Sequence, residues 1–236
     1  MRIDKRSNDE TRPIILKRNV MKYAEGSAYI ECGDTKVICT ASVSLESPPF
    51  RDSKGWVTAE YNMLPRATIQ RNKRDIANLK KNSRSSEIER LIGRSLRACV
   101  DLDSFHDATI IIDCDIIQAD GGTRTASITA GFIALHDAFE WMINKGYLKD
   151  NPVKCQVAAI SAGIVNDQVM VDLCYEEDSN AQVDLNLIMD SNGGIAEIQA
   201  TGEKNTFDKE KLDEIIYLSQ KAIKNIMNIQ RKCLDS

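Results

Sequence analysis

The passage from Ala108 to Ala126 restricts the fold more than any other. An apolar, strand-like run, Ala108 to Gln118, leads into Asp120-Gly121-Gly122-Thr123-Arg124-Thr125-Ala126-Ser127, and a helix-like run starts near Ala126. A strand is therefore followed by a helix across a glycine pair. Glycines let a backbone approach a ligand closely, and the first N–H groups of a helix have no partner within it. Arg124 adds a planar fork of donors matched to phosphate oxygens. The segment is built to hold an anion.

Other elements follow from periodicity and turn chemistry. A hairpin is expected from Ser27–Cys32 and Lys36–Val43, turning at Gly33-Asp34-Thr35. Trp56–Met63 reads as a strand that Leu64-Pro65-Arg66 ends, because proline restricts its neighbour and cannot donate to a ladder. Arg66 to Ser83 has charge without apolar periodicity and reads as a mobile basic loop. Ser86 and Glu89 have capping-box spacing at the start of a helix running to Asp101, with an apolar stripe of Ile88, Leu91, Ile92, Leu96 and Cys99. Arg90, Arg94 and Arg97 lie on a different face. The helix from Ala126 turns Ile128, Phe132, Leu135, Phe139 and Met142 inward and stops near Gly146.

Asn166-Asp167 and Asn192-Gly193-Gly194 each turn a hairpin, the first between Val157–Val165 and Gln168–Leu173, the second between Val183–Met189 and Ile195–Ala200. A closing helix runs from about Asp208 to Cys233. The element order is mixed, so an α+β fold fits better than a regular parallel sheet.

Composition narrows the function. Seven scattered cysteines without C-x-x-C spacing favour a reducing cytoplasm, and two histidines make zinc a poor choice. A metal would be held by oxygen ligands, hence Mg²⁺ or Mn²⁺. No apolar run reaches membrane-spanning length, and the charged start, Met1 to Glu10, lacks a signal core. Net charge is −4, yet ten basic residues stand against three acids between Arg66 and Arg97. Such a patch can steer a polyanion to one place on an acidic protein. A solvated, salt-bridged surface is the plain alternative.

Three sets of residues could carry chemistry. Arg84 precedes one helix and Arg124 begins another, each after small residues (Asn82-Ser83 and Gly121-Gly122), so the two could share an oxyanion pocket. The acidic stretch Tyr175 to Asp184 follows a strand ending near Cys174, and carboxylates beside an anion pocket can hold a divalent ion against substrate phosphates. A polar turn and a solvent-facing strand residue are the plain alternative there. Neither His106 nor His136 sits in a nucleophile triad arrangement.

Taken together these blocks resemble the ribonuclease PH family, the phosphate-dependent 3′ exoribonucleases, and in particular its bacterial branch acting on tRNA precursors. The likeness runs nearly end to end. It is carried by Arg6-Ser7-Asn8-Asp9 with Arg12-Pro13, Ala24 to Ser27, Gly33 to Val37, Gly55 to Tyr61 and Met63 to Arg66. Glu87-Ile88, Arg90 to Arg94, Asp113-Cys114-Asp115, Gln118 to Ser127, Glu177-Asp178-Ser179 and Asp184 continue it. Asn82-Ser83 replaces the family's usual Gly-Gly, and Gln199-Ala200-Thr201-Gly202-Glu203 departs from Gln-Gly-Thr-x-Glu.

The resemblance implies an α+β fold of the ribosomal protein S5 domain 2-like class, the ribonuclease PH fold, with residues 1–236 as a single domain. It implies phosphate binding at Arg84, Gly122, Thr123 and Arg124, with catalysis and metal binding at Asp178 and Asp184. Arg66, Arg71 and Arg74 would line the RNA path and a subunit interface. Inorganic phosphate would be co-substrate, with Mg²⁺ or Mn²⁺ as cofactor and tRNA precursors and other RNA 3′ ends as partners, in a cytoplasmic homohexamer, a trimer of dimers. The rival is a non-catalytic RNA-binding ring subunit, which would be expected to lack one of these arginines or acids.

Overall fold

The computed structural model describes residues 2–74 and 82–236. Asp75, Lys80 and Lys81 of the basic segment lie outside the described residues.

The first sheet holds β1 (Ile14–Arg18), β2 (Gly26–Cys32), β3 (Thr35–Ser44), β4 (Trp56–Met63) and β5 (Thr109–Gln118), in the order β1-β2-β3-β5-β4. All its pairs are antiparallel except β4–β5, which makes the sheet mixed. The β2–β3 turn is one residue tighter than the sequence predicts, since Thr35 already pairs with Cys32. β4 has the bounds read from sequence. β1 is an unpredicted strand, short and alternating in burial, that follows Pro13.

Next come α1 (Ser83–Ala98) and α2 (Thr123–Asn144). α1 starts three residues before the expected Ser86 and ends before the expected Asp101. Its cap is Asn82, whose side-chain oxygen accepts from the Arg84 N–H at 3.0 Å. The Ser86–Glu89 capping box does not form, because Glu89 instead accepts from the Tyr61 N–H of β4 at 3.2 Å. α2 also begins three residues early, at Thr123, because Gly122 is its cap. It is buried nearly all round, since it packs against β2, β3 and β5 on one side and β6 on the other.

The second sheet has the order β7-β6-β8-β9: β6 (Val157–Val165), β7 (Gln168–Val171), β8 (Val183–Asp190) and β9 (Ile195–Gly202), all antiparallel. Asn166 and Asp167 both have positive φ, as a two-residue hairpin turn demands. β6 is buried on both faces. Val157 and Ala159 join the core around α2, while Ala158, Ile160 and Ala162 pack against Ile215, Ile223 and Ile226 of α4 (Lys209–Leu234). The stretch after β7, read from sequence as a turn, is the short helix α3 (Tyr175–Asn180). Its six residues are too few and too polar to show apolar periodicity.

Candidate active site

Both anion-binding features sit at helix starts. Gly121 and Gly122 have φ of +74° and +67°, the left-handed region that suits glycine. A Cβ on Gly121 would also come within 2.4 Å of the Leu173 carbonyl oxygen, so the turn lies against the chain leading into α3. Thr123 and Arg124 occupy the first turn of α2. The Thr123 hydroxyl shares a 2.8 Å hydrogen bond with the phenol of Tyr61 on β4. Arg84 lies in the first turn of α1, inside the helix rather than before it, and is exposed.

The acids come from the second half of the chain. Asp178 sits on α3 and Asp184 on β8, opposite Gly163 of β6 and Thr201 of β9. Both are half-buried. Burial pushes the Asp178 carboxyl above its ordinary range and Glu203 adds to this, while Arg124 and Arg84 pull it back. Asp184 is pushed up to about 6, first by burial and then by the Asp178 charge beside it, with Glu203 adding and the same two arginines opposing. Arg84, Arg124, Asp178 and Asp184 therefore share one electrostatic neighbourhood, as the sequence anticipates. The solvent-facing reading of the two aspartates does not fit their burial.

Tyr61, Gln199 and Glu203 belong to this neighbourhood and were not foreseen as site residues. Burial raises the Tyr61 phenol, and the Thr123 hydrogen bond, Arg84 and Arg124 lower it in turn. Gln199 of β9 accepts from Arg124 at 3.4 Å, and Glu87 of α1 lies 3.8 Å from the same guanidinium. The inward position of Tyr61 on β4 was the available signal, because a buried phenol needs a polar partner.

A second set of charges stands behind the first. Arg2, 4% exposed, grips Glu177 with two hydrogen bonds of 2.8 and 2.7 Å and donates to the carbonyls of Val171 and Asp172. Glu177 accepts from the Cys174 N–H that caps α3, so Arg2 fixes the helix that carries Asp178. Arg12, 5% exposed, pairs with Asp172 at 2.6 Å. Burial alone would raise the Asp172 carboxyl, but the hydrogen bonds and charge of Arg12 hold it low.

The basic residues divide. Arg66, Arg71 and Arg74 are exposed and make no hydrogen bond or ion pair with the pocket side chains among the described residues. The charge of Arg74 instead acts on Asp115 of β5. Arg94 and Arg97 are engaged: Arg94 pairs with Glu197 of β9 at 2.6 Å, and Arg97 donates to the Val57 carbonyl and lies over the Trp56 ring. Among the described residues, no group of three or more His, Cys, Asp or Glu side chains is arranged to hold a metal. No helix among them is long and apolar enough to cross a membrane.

Two helix starts that carry arginines, with two half-buried carboxylates in the same electrostatic neighbourhood of an α+β fold, accord with the sequence comparisons. Residues 10–139 match domain 1 of the 3′ exoribonuclease family and residues 155–222 match domain 2, so the chain belongs to that family, the ribonuclease PH family. Solved structures extend the likeness to the whole fold. A rice (Oryza sativa) protein, Rrp46, superposes with a TM-score of 0.82 at 20% identity, covering all of both chains. A chain of an Archaeoglobus fulgidus exosome with RNA bound to the active site gives 0.82 at 24%, over 96% of this chain and 91% of that one. A chain of an archaeal exosome core gives 0.79 at 23%, over 98% and 91%.

Proposed function

We propose that this protein is a phosphorolytic 3′-to-5′ exoribonuclease of the bacterial ribonuclease PH kind, trimming the 3′ ends of tRNA precursors. The observation that carries this reading is the convergence of Arg84 and Arg124 on Asp178 and Asp184. A non-catalytic ring subunit has no need of all four.

Inorganic phosphate is held by Arg84, Arg124 and the backbone N–H groups at Gly122-Thr123. One of its oxygens attacks the phosphorus of the terminal phosphodiester, and the bond from that phosphorus to the 3′-oxygen of the preceding nucleotide breaks. The products are a nucleoside diphosphate, with the incoming phosphate as its outer group, and an RNA one nucleotide shorter. Two phosphate groups that repel each other must be brought together, so positioning and charge neutralisation supply the rate. The departing 3′-oxygen takes up a proton, and a carboxyl near 6, as in Asp184, is suited to deliver it.

The two neighbouring carboxylates fit a divalent cation, since the Asp178 charge opposes ionisation of Asp184 and Mg²⁺ commonly uses one or two carboxylates plus substrate phosphates. Asp178 or Asp184 would hold Mg²⁺ or Mn²⁺, and the aspartate not bound to the ion would deliver the proton. When bound, the ion neutralises charge on phosphate oxygens. Arg66, Arg71 and Arg74 contact RNA or a neighbouring subunit in a cytoplasmic homohexamer, a trimer of dimers, with residues 1–236 acting as one unit. The reverse reaction adds nucleotides from diphosphates.

The test is incubation with a 3′-extended tRNA precursor, with and without inorganic phosphate. Shortening that requires phosphate supports the reading. No shortening, or shortening of equal rate without phosphate, contradicts it.

A further inference from the structure

The pocket residues account for contacts with phosphate but not for the shape of the turn that presents them. Asp120 to Gly122 makes two successive left-handed glycine conformations, and glycine is the residue least restrained by its own backbone. Something outside the turn must hold it. We infer that Arg12 and Thr35 are positioning residues that fix the Asp120–Gly121 backbone from behind, so that Gly122, Thr123 and Arg124 face phosphate in a preset geometry.

The contacts converge on three successive peptide groups. The Thr35 hydroxyl, at the start of β3 and fully buried, donates to the Gly121 carbonyl at 2.6 Å and accepts from the Asp120 N–H at 3.0 Å. Arg12 donates to the Asp120 carbonyl and, at 3.4 Å, to the Gly121 carbonyl. Its remaining donors are taken by Asp172, at 3.0 Å from Nε and 2.6 Å from Nη2, and its backbone N–H reaches the same carboxylate at 2.6 Å. The guanidinium fork is thus fixed on one side by a buried anion, and the other side grips the turn.

The arrangement has a chemical logic. A carbonyl bonded from behind points away from the pocket, and its peptide N–H partner is then free to face the anion side. A lysine could keep the charge opposite Asp172 but not the fork, because its ammonium is a single point with no planar pair of donors. Charge pairing and turn holding can therefore be separated by substitution.

This inference rests on reading Gly122 to Arg124 as a phosphate site. The experiment measures direct binding of inorganic phosphate, by thermal shift and calorimetry, to the full chain and to Thr35→Val, Arg12→Lys and Asp137→Asn, with rates on a 3′-extended RNA measured alongside. Thr35→Val keeps shape and removes only the hydroxyl, so it carries the test if Arg12→Lys does not fold. Asp137→Asn loosens a different buried pair, Arg18 with Asp137 at 2.6 Å toward the C-terminal end of α2, and is the control for general loosening.

The expected result is a loss of phosphate affinity of about tenfold or more in Thr35→Val and Arg12→Lys, with an increase in the KM for phosphate rather than in the Kd for RNA. Asp137→Asn keeps its phosphate affinity. Wild-type affinity in both Thr35→Val and a folded Arg12→Lys overturns the positioning role and leaves the site intact. An equal loss in all three variants overturns it as mere loosening. A wild-type protein that binds no phosphate overturns both this inference and the site. If phosphate binding behaves as expected but no RNA is shortened, the positioning role stands and the proposed reaction fails.

Discussion

Arg2 and Arg12 are nearly inaccessible and each is locked to a buried carboxylate, whereas Arg84, Arg66, Arg71 and Arg74 are exposed. Among the described residues Arg84 has no ion pair, although its charge reaches Asp178 and Asp184. One residue type therefore serves two ends. In the N-terminal segment, arginine satisfies carbonyls and carboxylates of its own chain, where a missing partner would leave an uncompensated buried charge. At Arg84, Arg66, Arg71 and Arg74, arginine is exposed and leaves donors for something outside the chain. The two groups should respond to mutation in opposite ways.

The largest effect expected is on the buried side. Arg12→Ala leaves Asp172 in the core with only the longer 3.4 Å pairing to Arg6 and should cost about 3 kcal/mol, seen as a large fall in the denaturation midpoint. A small fall would mean that water reaches Asp172, and would erase the distinction between the groups. At the pocket, Arg124→Ala should lose about a hundredfold or more in phosphate-dependent rate. Arg84→Ala, on an exposed side chain, should do the same while changing stability by under about 0.5 kcal/mol. Destabilisation of Arg84→Ala as large as that of Arg12→Ala would break the comparison.

Asp184 sharpens it from the acidic side. Its folded value of about 6 lies above the ordinary 3.8, so the folded protein holds a proton that the unfolded chain releases. The stability this contributes is complete below about 3.8 and is lost as pH rises through about 6. Asp184→Asn should remove that slope and raise stability at neutral pH by on the order of 1 kcal/mol, while lowering kcat far more than RNA affinity. Thermal melts across pH 4 to 8 read the first effect. An unchanged slope would remove Asp184 from the buried, repelled pair. The smallest effect concerns Arg71 and Arg74: replacing both with alanine should weaken RNA binding and reduce its salt slope by about 0.7 per arginine, with no change in melting. An unchanged slope would make the segment a solvated surface only.

The legible part of the fold was local. β4 and the Asn166-Asp167 hairpin could be read because alternation and turn residues act over a few positions. α1 was placed late because an Asn82 cap competes with a plausible Ser86 cap, and α3 was missed because a one-turn polar helix has no stripe. Arg84, Arg124, Asp178 and Asp184 were singled out through the family resemblance, since spacing alone left the plain alternatives open, and the structure places them in one electrostatic neighbourhood. Their support was not singled out, since Arg2 meets Glu177 across 175 positions and Arg12 meets Asp172 across 160. Nothing within a short window distinguishes such an arginine from an exposed one.

The central claim is that inorganic phosphate is the attacking group. It is tested most directly by supplying ³²P-labelled inorganic phosphate with an unlabelled 3′-extended RNA and identifying the released nucleotide. The account predicts nucleoside diphosphates carrying the label in the outer phosphate, and their loss in Arg124→Ala. Unlabelled nucleoside monophosphates would show that water attacks instead and would contradict it.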